Sequence, residues 1–167
     1  MIQIYTGDGK GKTTAALGLA LRALGAGLRV YIGQFIKGAP YSEFKILKNI
    51  PNLKFEQYGR GCFIKGKPIK KDISLARKGF QRVKEIIAGN NYKLIILDEF
   101  NVALHLGLLK IEDSIELLKS IPEDIELVLT GRWAHPKIKR YANLISEIKN
   151  VRHYYNDGVL ARKGIEF

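Results

Sequence analysis

Residues 2–14 read Ile2-Gln3-Ile4-Tyr5-Thr6-Gly7-Asp8-Gly9-Lys10-Gly11-Lys12-Thr13-Thr14, and this stretch decides the fold. Ile2 to Tyr5 is a short apolar run suited to a buried strand. After the glycines comes a helical pattern, with Leu17, Ala20, Leu21 and Leu24 at i, i+3, i+4 and i+7. Between strand and helix, glycines let successive backbone N–H groups turn inward around an anion, and the helix N-terminus adds its partial positive charge. Lys12 can then reach phosphate oxygens, and the Thr13 hydroxyl can join a magnesium shell. The strict pattern G-x-x-x-x-G-K-[ST] has a glycine where Thr6 stands, so the loop is a variant. A purely structural glycine turn would share the glycines but has no use for the Lys-Thr pair.

Outward from this stretch, strand and helix signals alternate. Gly25 and Gly27 close the first helix, Leu28 to Phe35 reads as a second strand and Leu53 to Tyr58 as a third. Asp72 is a plausible N-cap of a long helix whose apolar face holds Ile73, Ala76, Phe80, Val83 and Ile87, closed by Gly89-Asn90-Asn91. Leu94-Ile95-Ile96-Leu97 is a continuous apolar run, typical of a strand covered on both faces. A helix around Ile111 to Ser120, a strand from Ile125 to Thr130, a short helix from Pro136 and a last core strand from Leu144 to Ile148 complete the series. Strands alternating with helices predict an α/β, P-loop NTPase-like three-layer fold, with a mainly parallel sheet in one domain over residues 1–167.

Leu94 to Leu97 runs straight into Asp98-Glu99, which places two carboxylates at the C-terminal edge of a parallel sheet, where such sheets bind ligands. A magnesium ion (or manganese) shared by Thr13 and phosphate oxygens needs an acidic partner there, so Asp98 and Glu99 join Thr13 as metal candidates. Alone, an acidic pair after a strand is an ordinary strand end; the phosphate loop upstream changes its meaning.

Composition excludes several classes. No apolar run approaches the roughly 20 residues that span a bilayer, and Met1 to Tyr5 lacks the basic segment of a signal peptide. Cys62 is the one cysteine, so neither an internal disulfide nor a paired-cysteine zinc site is available, and a cytoplasmic enzyme is the expectation. The net charge of +12 is uneven. From Arg60 to Lys84 nine basic residues (Arg60, Lys65, Lys67, Lys70, Lys71, Arg77, Lys78, Arg82, Lys84) face Asp72 alone. That stretch suits a nucleic acid, an anionic small molecule or an acidic protein, or is simply a solvated helix face.

The two motifs establish nucleotide binding but leave the reaction open between a kinase or ATPase, a RecA-like nucleic-acid-binding ATPase and other uses of ATP. Several further segments narrow it. Gly7 to Ala16, Gln34-Phe35-Ile36-Lys37-Gly38, Asp98-Glu99-Phe100-Asn101-Val102-Ala103-Leu104 and Leu129-Thr130-Gly131-Arg132, with the ending Asp157-Gly158-Val159 and Lys163 to Phe167, resemble the P-loop-type ATP:corrinoid adenosyltransferases. The matches follow the family's order along almost the whole chain. The resemblance implies that a cob(I) corrinoid attacks the 5′ carbon of ATP and triphosphate leaves, in adenosylcobalamin biosynthesis or salvage.

Under that resemblance the residues from Gly7 to Thr14, with Gln34, Lys37, Asn101 and Arg132, are expected at ATP, with Lys12 and Glu99 as the catalytic pair. Cobalt is itself the nucleophile, so no protein base is required, and His105, His135 and His153 read as structural or solvent-facing. The family tends to carry aromatic residues after a segment like Gly59-Arg60-Gly61, bearing on the lower corrinoid face; Cys62-Phe63-Ile64 stands here, and Phe63 is the corrinoid candidate. Many relatives carry an N-terminal extension that covers the site. The first strand here begins at Ile2, so that cover is expected to be missing or supplied otherwise. The family also implies a homodimer and, since no flavin or iron–sulfur motif is present, an external reductant such as a flavoprotein; a membrane is not expected and nucleic acid is disfavoured.

Overall fold

The computed structural model describes residues 1–39, 41–61, 64 and 66–166. Six strands, β1 (Ile2–Thr6), β2 (Val30–Lys37), β3 (Leu53–Gly61), β4 (Leu94–Asp98), β5 (Glu126–Thr130) and β6 (Leu144–Glu147), form one sheet in the order β3-β2-β4-β5-β1-β6. Every neighbouring pair is parallel. Helices α1 (Lys12–Gly25), α2 (Phe44–Leu47), α3 (Lys70–Ala88), α4 (Phe100–His105), α5 (Ile111–Lys119) and α6 (Pro136–Lys139) connect and cover them.

The period of two along each strand builds two separate apolar layers. Ile4, Tyr31, Phe35, Ile95, Leu97, Leu127 and Leu129 meet the residues of α3 and α4 on one face. Val30, Ile32, Leu94, Ile96 and Val128 meet α1 on the other. That helix buries Ala16, Ala20 and Ala23, a stripe of small side chains that brings its axis close to the sheet. Leu21, expected on the buried face, is 68% exposed, because the alanine stripe turns it outward.

Two other expectations are corrected. The Leu144–Ile148 segment is an edge strand ending at Glu147, exposed along its whole length, since it pairs with β1 alone at the edge of the sheet. Asp72 is not the N-cap of α3 but lies one turn inside, where its carboxylate accepts from the Ile69 N–H at 3.0 Å. It is buried there against Arg60, whose Nε and Nη2 donate at 2.6 and 3.0 Å.

This arrangement brings the C-terminal ends of β1, β2, β4 and β5 to one edge. Because β5 lies between β1 and β4, the phosphate loop and the Asp98 strand end face each other across Thr130. Two glycines report how tightly the helices are set. A Cβ on Gly79 in α3 would stand 2.3 Å from Tyr58 Cγ, at the root of the ring, whereas one on Gly18 in α1 would meet nothing within 4 Å. Gly18→Ala should therefore stabilise by about 0.5–1 kcal/mol through helix propensity. Gly79→Ala should instead destabilise by about 1–3 kcal/mol through overpacking. Urea denaturation of the two variants checks the pair, and equal shifts would contradict this packing.

Candidate active site

The phosphate loop is shaped by what lies beneath it. A Cβ on Gly7 would come 2.4 Å from the Ile148 carbonyl oxygen, and one on Gly9 2.6 Å from that of Lys149. Only glycine lets the loop lie this close to the chain leaving β6. The Gly9 N–H donates to Ile148 O at 2.7 Å. Thr6, standing where the strict pattern has glycine, is buried, and its hydroxyl accepts from Ala134 N–H at 3.4 Å. The departure thus ties the end of β1 to the loop after β5. Helix α1 has no acidic residue in its first turn to offset its N-terminal partial charge, which leaves that charge for an anion.

Asp98, at the end of β4, is 2% exposed and accepts four hydrogen bonds. Its Oδ1 takes Thr13 Oγ1 at 2.8 Å and Thr130 Oγ1 at 2.6 Å. Its Oδ2 takes Gln34 Nε2 at 2.8 Å and Lys37 Nζ at 3.3 Å. Burial works against its charge, but Lys37 first, then Thr130, Gln34 and Thr13, outweigh it and hold the carboxyl below the usual range. For Lys37 burial works against the ammonium, and Asp98 and Glu99 outweigh it and raise its proton affinity. Glu99 goes the other way: burial, then the neighbouring Asp98 charge, push its carboxyl up. Lys37 Nζ lies 3.6 Å from Glu99 Oε1, so one ammonium serves both acids. Glu99 also sits at φ 57°, a left-handed conformation that costs a non-glycine residue about 1–3 kcal/mol.

Above these groups opens a cavity of about 830 Å³. Gly9, Lys10, Gly11, Lys12, Thr13 and Thr14 line it from the loop, and Lys37, Glu99 and Arg132 from the strand ends. Lys12 Nζ rests on Gly9 O at 2.5 Å, and burial, with Arg132 nearby, lowers its proton affinity. Gly7 and Asp8 begin the loop outside the cavity lining, and Asp8 O accepts from Arg132 Nη2 at 3.2 Å. Gln34 and Asn101 do not line the cavity as expected. Gln34 lies beneath it, between Asp98 and Gln57. Asn101 is fully buried, donating to Gly131 O at 3.2 Å, while its Oδ1 finds no partner among the described residues. Phe63 lies outside the described residues.

Several residues that build the site were not singled out from the sequence. Thr130 bridges Asp98 and the Glu99 N–H, which donates to its hydroxyl at 3.1 Å. The C-terminal segment folds back onto the loop: Lys10 Nζ donates to Tyr154 OH at 2.7 Å and Glu166 Oε1 at 2.8 Å. Those bonds, from Lys10 and then Tyr154, hold the Glu166 carboxyl well below its ordinary range. Lys163 to Glu166 had carried part of the family likeness, but nothing in their spacing announced contact with residue 10. The histidines are engaged locally: His105 stacks on Trp133, and His135 and His153 accept from the Lys137 and Tyr155 N–H groups.

For a divalent cation the donor set fits in part. Asp98 has each lone-pair position taken by a protein donor, so it can only orient Thr13. Thr13 and Glu99 are the side chains able to touch a cation, and phosphate oxygens and water would complete the shell. No cluster of three or more His, Cys, Asp or Glu side chains suited to a metal occurs among the described residues.

A glycine-rich loop between β1 and α1, its threonine bonded to an aspartate ending another parallel strand, defines a P-loop nucleotide-binding protein. The family described as ATP:corrinoid adenosyltransferase BtuR/CobO/CobP matches residues 1–167. The corrinoid adenosyltransferase of Pseudomonas aeruginosa is 31% identical over 169 residues, covering 100% of this chain and 83% of that protein. Those of Escherichia coli and Salmonella typhimurium are each 33% identical over 168 residues, covering 100% of this chain and 85% of theirs. The chain belongs to the ATP:corrinoid adenosyltransferase family, and its reaction is transfer of adenosyl from ATP to a corrinoid.

Lys12 makes its one described side-chain hydrogen bond to a loop carbonyl, so its loss should cost the fold little. Lys12→Ala should weaken ATP binding at least about tenfold, since a charge-assisted contact contributes about 1.5–3 kcal/mol. Calorimetric titration checks this, and unchanged affinity in a folded variant would remove Lys12 from the phosphate site.

Proposed function

We propose that the loop and Lys12 hold the triphosphate of ATP as a leaving group while a cob(I) corrinoid attacks the 5′ carbon. Cobalt supplies the electron pair for the new cobalt–carbon bond, going formally from +1 to +3. The bond between C5′ and its oxygen breaks, and triphosphate departs with that electron pair. The observation that carries this reading is the single cavity in which loop, Lys12 and Arg132 converge. Lys12, Arg132 and the loop amides there suit charge stabilisation on a departing chain.

Lys12 and Arg132 face the oxygens where charge develops, and the amides at the start of α1 add their dipoles. Thr13, aligned by Asp98, and Glu99 would hold a magnesium or manganese ion. Such an ion would neutralise phosphate charge. Lys10, already committed to Tyr154 and Glu166, fixes the rim of the loop.

The corrinoid and its reductant approach from outside. Reduction to cob(I) calls for an electron donor such as a flavoprotein, and the exposed charges of Lys67, Lys70, Lys71, Arg77 and Lys78 suit an acidic one. Arg60 and Arg82 are not free for this role, being paired with Asp72 and with Glu56 and Glu85. A cytoplasmic homodimer agrees with the family likeness. Among the described residues no helix is long and apolar enough to cross a membrane.

Anaerobic incubation with chemically reduced cobalamin, ATP and Mg²⁺ should yield intact triphosphate and a light-sensitive alkyl-cobalt product in equal amounts. ATP alone should give negligible turnover, because positioning both reactants supplies up to roughly 7–11 kcal/mol of the barrier reduction. ADP and phosphate, with the corrinoid unalkylated, would contradict the proposal.

A further inference from the structure

The loop after β5 holds a feature that phosphate binding leaves unexplained. Trp133 adopts φ 58°, a backbone conformation that is a genuine outlier for a bulky residue. It is nevertheless 50% exposed, so burial of its ring does not account for the strained backbone. The ring lies against His105 at the end of α4, with centroids 4.4 Å apart and planes 28° from parallel. It also lines the same cavity as Lys12, Thr13 and Arg132. Arg132, the preceding residue, reaches the phosphate loop through Asp8 O at 3.2 Å, and Ala134, the following one, is tied to Thr6 at the end of β1. The loop is therefore pinned to the phosphate site on both sides of Trp133.

We propose that Trp133, backed by His105, is an aromatic platform that stacks the purine of ATP. An exposed indole held rigid by a second ring is the surface a planar heteroaromatic ring seeks. Offset stacking is favoured by the quadrupoles of both rings and excludes water from between them. The triphosphate anchored at Lys12 leaves its base to settle elsewhere in the cavity, and of the rings lining it, Trp133 presents the largest face. The inference rests on ATP being the nucleotide, and its test uses binding without corrinoid, so failure of the transfer reaction and failure of the platform are separately visible.

Because Trp133 is the one tryptophan, its emission reports on its own ring in the unmodified protein. ATP and adenosine should each change that emission on saturation. Inorganic tripolyphosphate, bound by calorimetry, should leave it nearly unchanged. Trp133→Phe should keep ATP affinity, whereas Trp133→Gly should weaken ATP at least about tenfold while leaving tripolyphosphate within about twofold, the range expected of base–aromatic stacking. The glycine also relieves the positive φ, so a weaker ATP complex in a fold no less stable separates the platform from a structural role. An equal emission change with tripolyphosphate, saturating ATP that leaves emission unaltered, or full ATP affinity in folded Trp133→Gly would each overturn the proposal.

Discussion

The site depends on one buried carboxylate. Asp98 gathers a hydroxyl from α1, an amide and an ammonium from β2, and a hydroxyl from β5. Leaving such a charge unpaired in the interior would cost several kcal/mol, so these elements are held to one geometry by the need to satisfy it. Thr13 is thereby oriented at the mouth of the phosphate loop before any ligand arrives. Lys37, shared between Asp98 and Glu99, lets two adjacent acids persist where burial alone would drive protons onto them. The opposite displacements of Asp98 and Glu99 follow from this sharing, because the ammonium and three further donors favour charge on Asp98 most.

Around that centre, strain and close approach do the shaping. Glu99 and Trp133 both sit at positive φ, one at each strand end facing the loop. The hydrogen bonds of Thr130 and Thr6 hold these turns in place. The glycines of the loop lie on the Ile148–Lys149 backbone, and the tail that follows returns to clasp Lys10 through Tyr154 and Glu166. The cavity is therefore walled by segments far apart in sequence, several of them anchored to the loop itself.

Much of this was legible beforehand because it is local. The strand–glycine–Lys-Thr order of residues 2–14 and the apolar run into Asp98-Glu99 each name an element and its chemistry. The five apolar residues predicted for the inner side of α3 do face the core, four of them buried. What failed depends on partners that spacing does not reveal. Leu144 to Glu147 has strand composition, but whether a strand is covered is decided by its place in the sheet, and this one lies at the edge. Asn101 follows the acidic pair, yet helix α4 begins at Phe100 and turns that side chain inward to Gly131. Thr130 was quoted within a motif without a role, because its bond to Asp98 joins strands 32 residues apart. Trp133 carried no signal at all, since a single aromatic after Gly-Arg has no periodicity to read.

If the Asp98–Lys37 pair organises the site, the two side chains must be energetically coupled. A double-mutant cycle of Asp98→Asn and Lys37→Met, followed by urea denaturation, measures that coupling directly. Breaking a buried pair from one side typically costs about 3–5 kcal/mol, because the remaining charge is stranded. Lys37→Met, which strands Asp98, should therefore be strongly destabilised, Asp98→Asn less so because Glu99 still pairs Lys37, and the double variant should recover part of the summed loss, with a coupling of about 2 kcal/mol or more. A coupling near zero, with the two losses simply adding, would show that Asp98 and Lys37 act independently and would contradict the account.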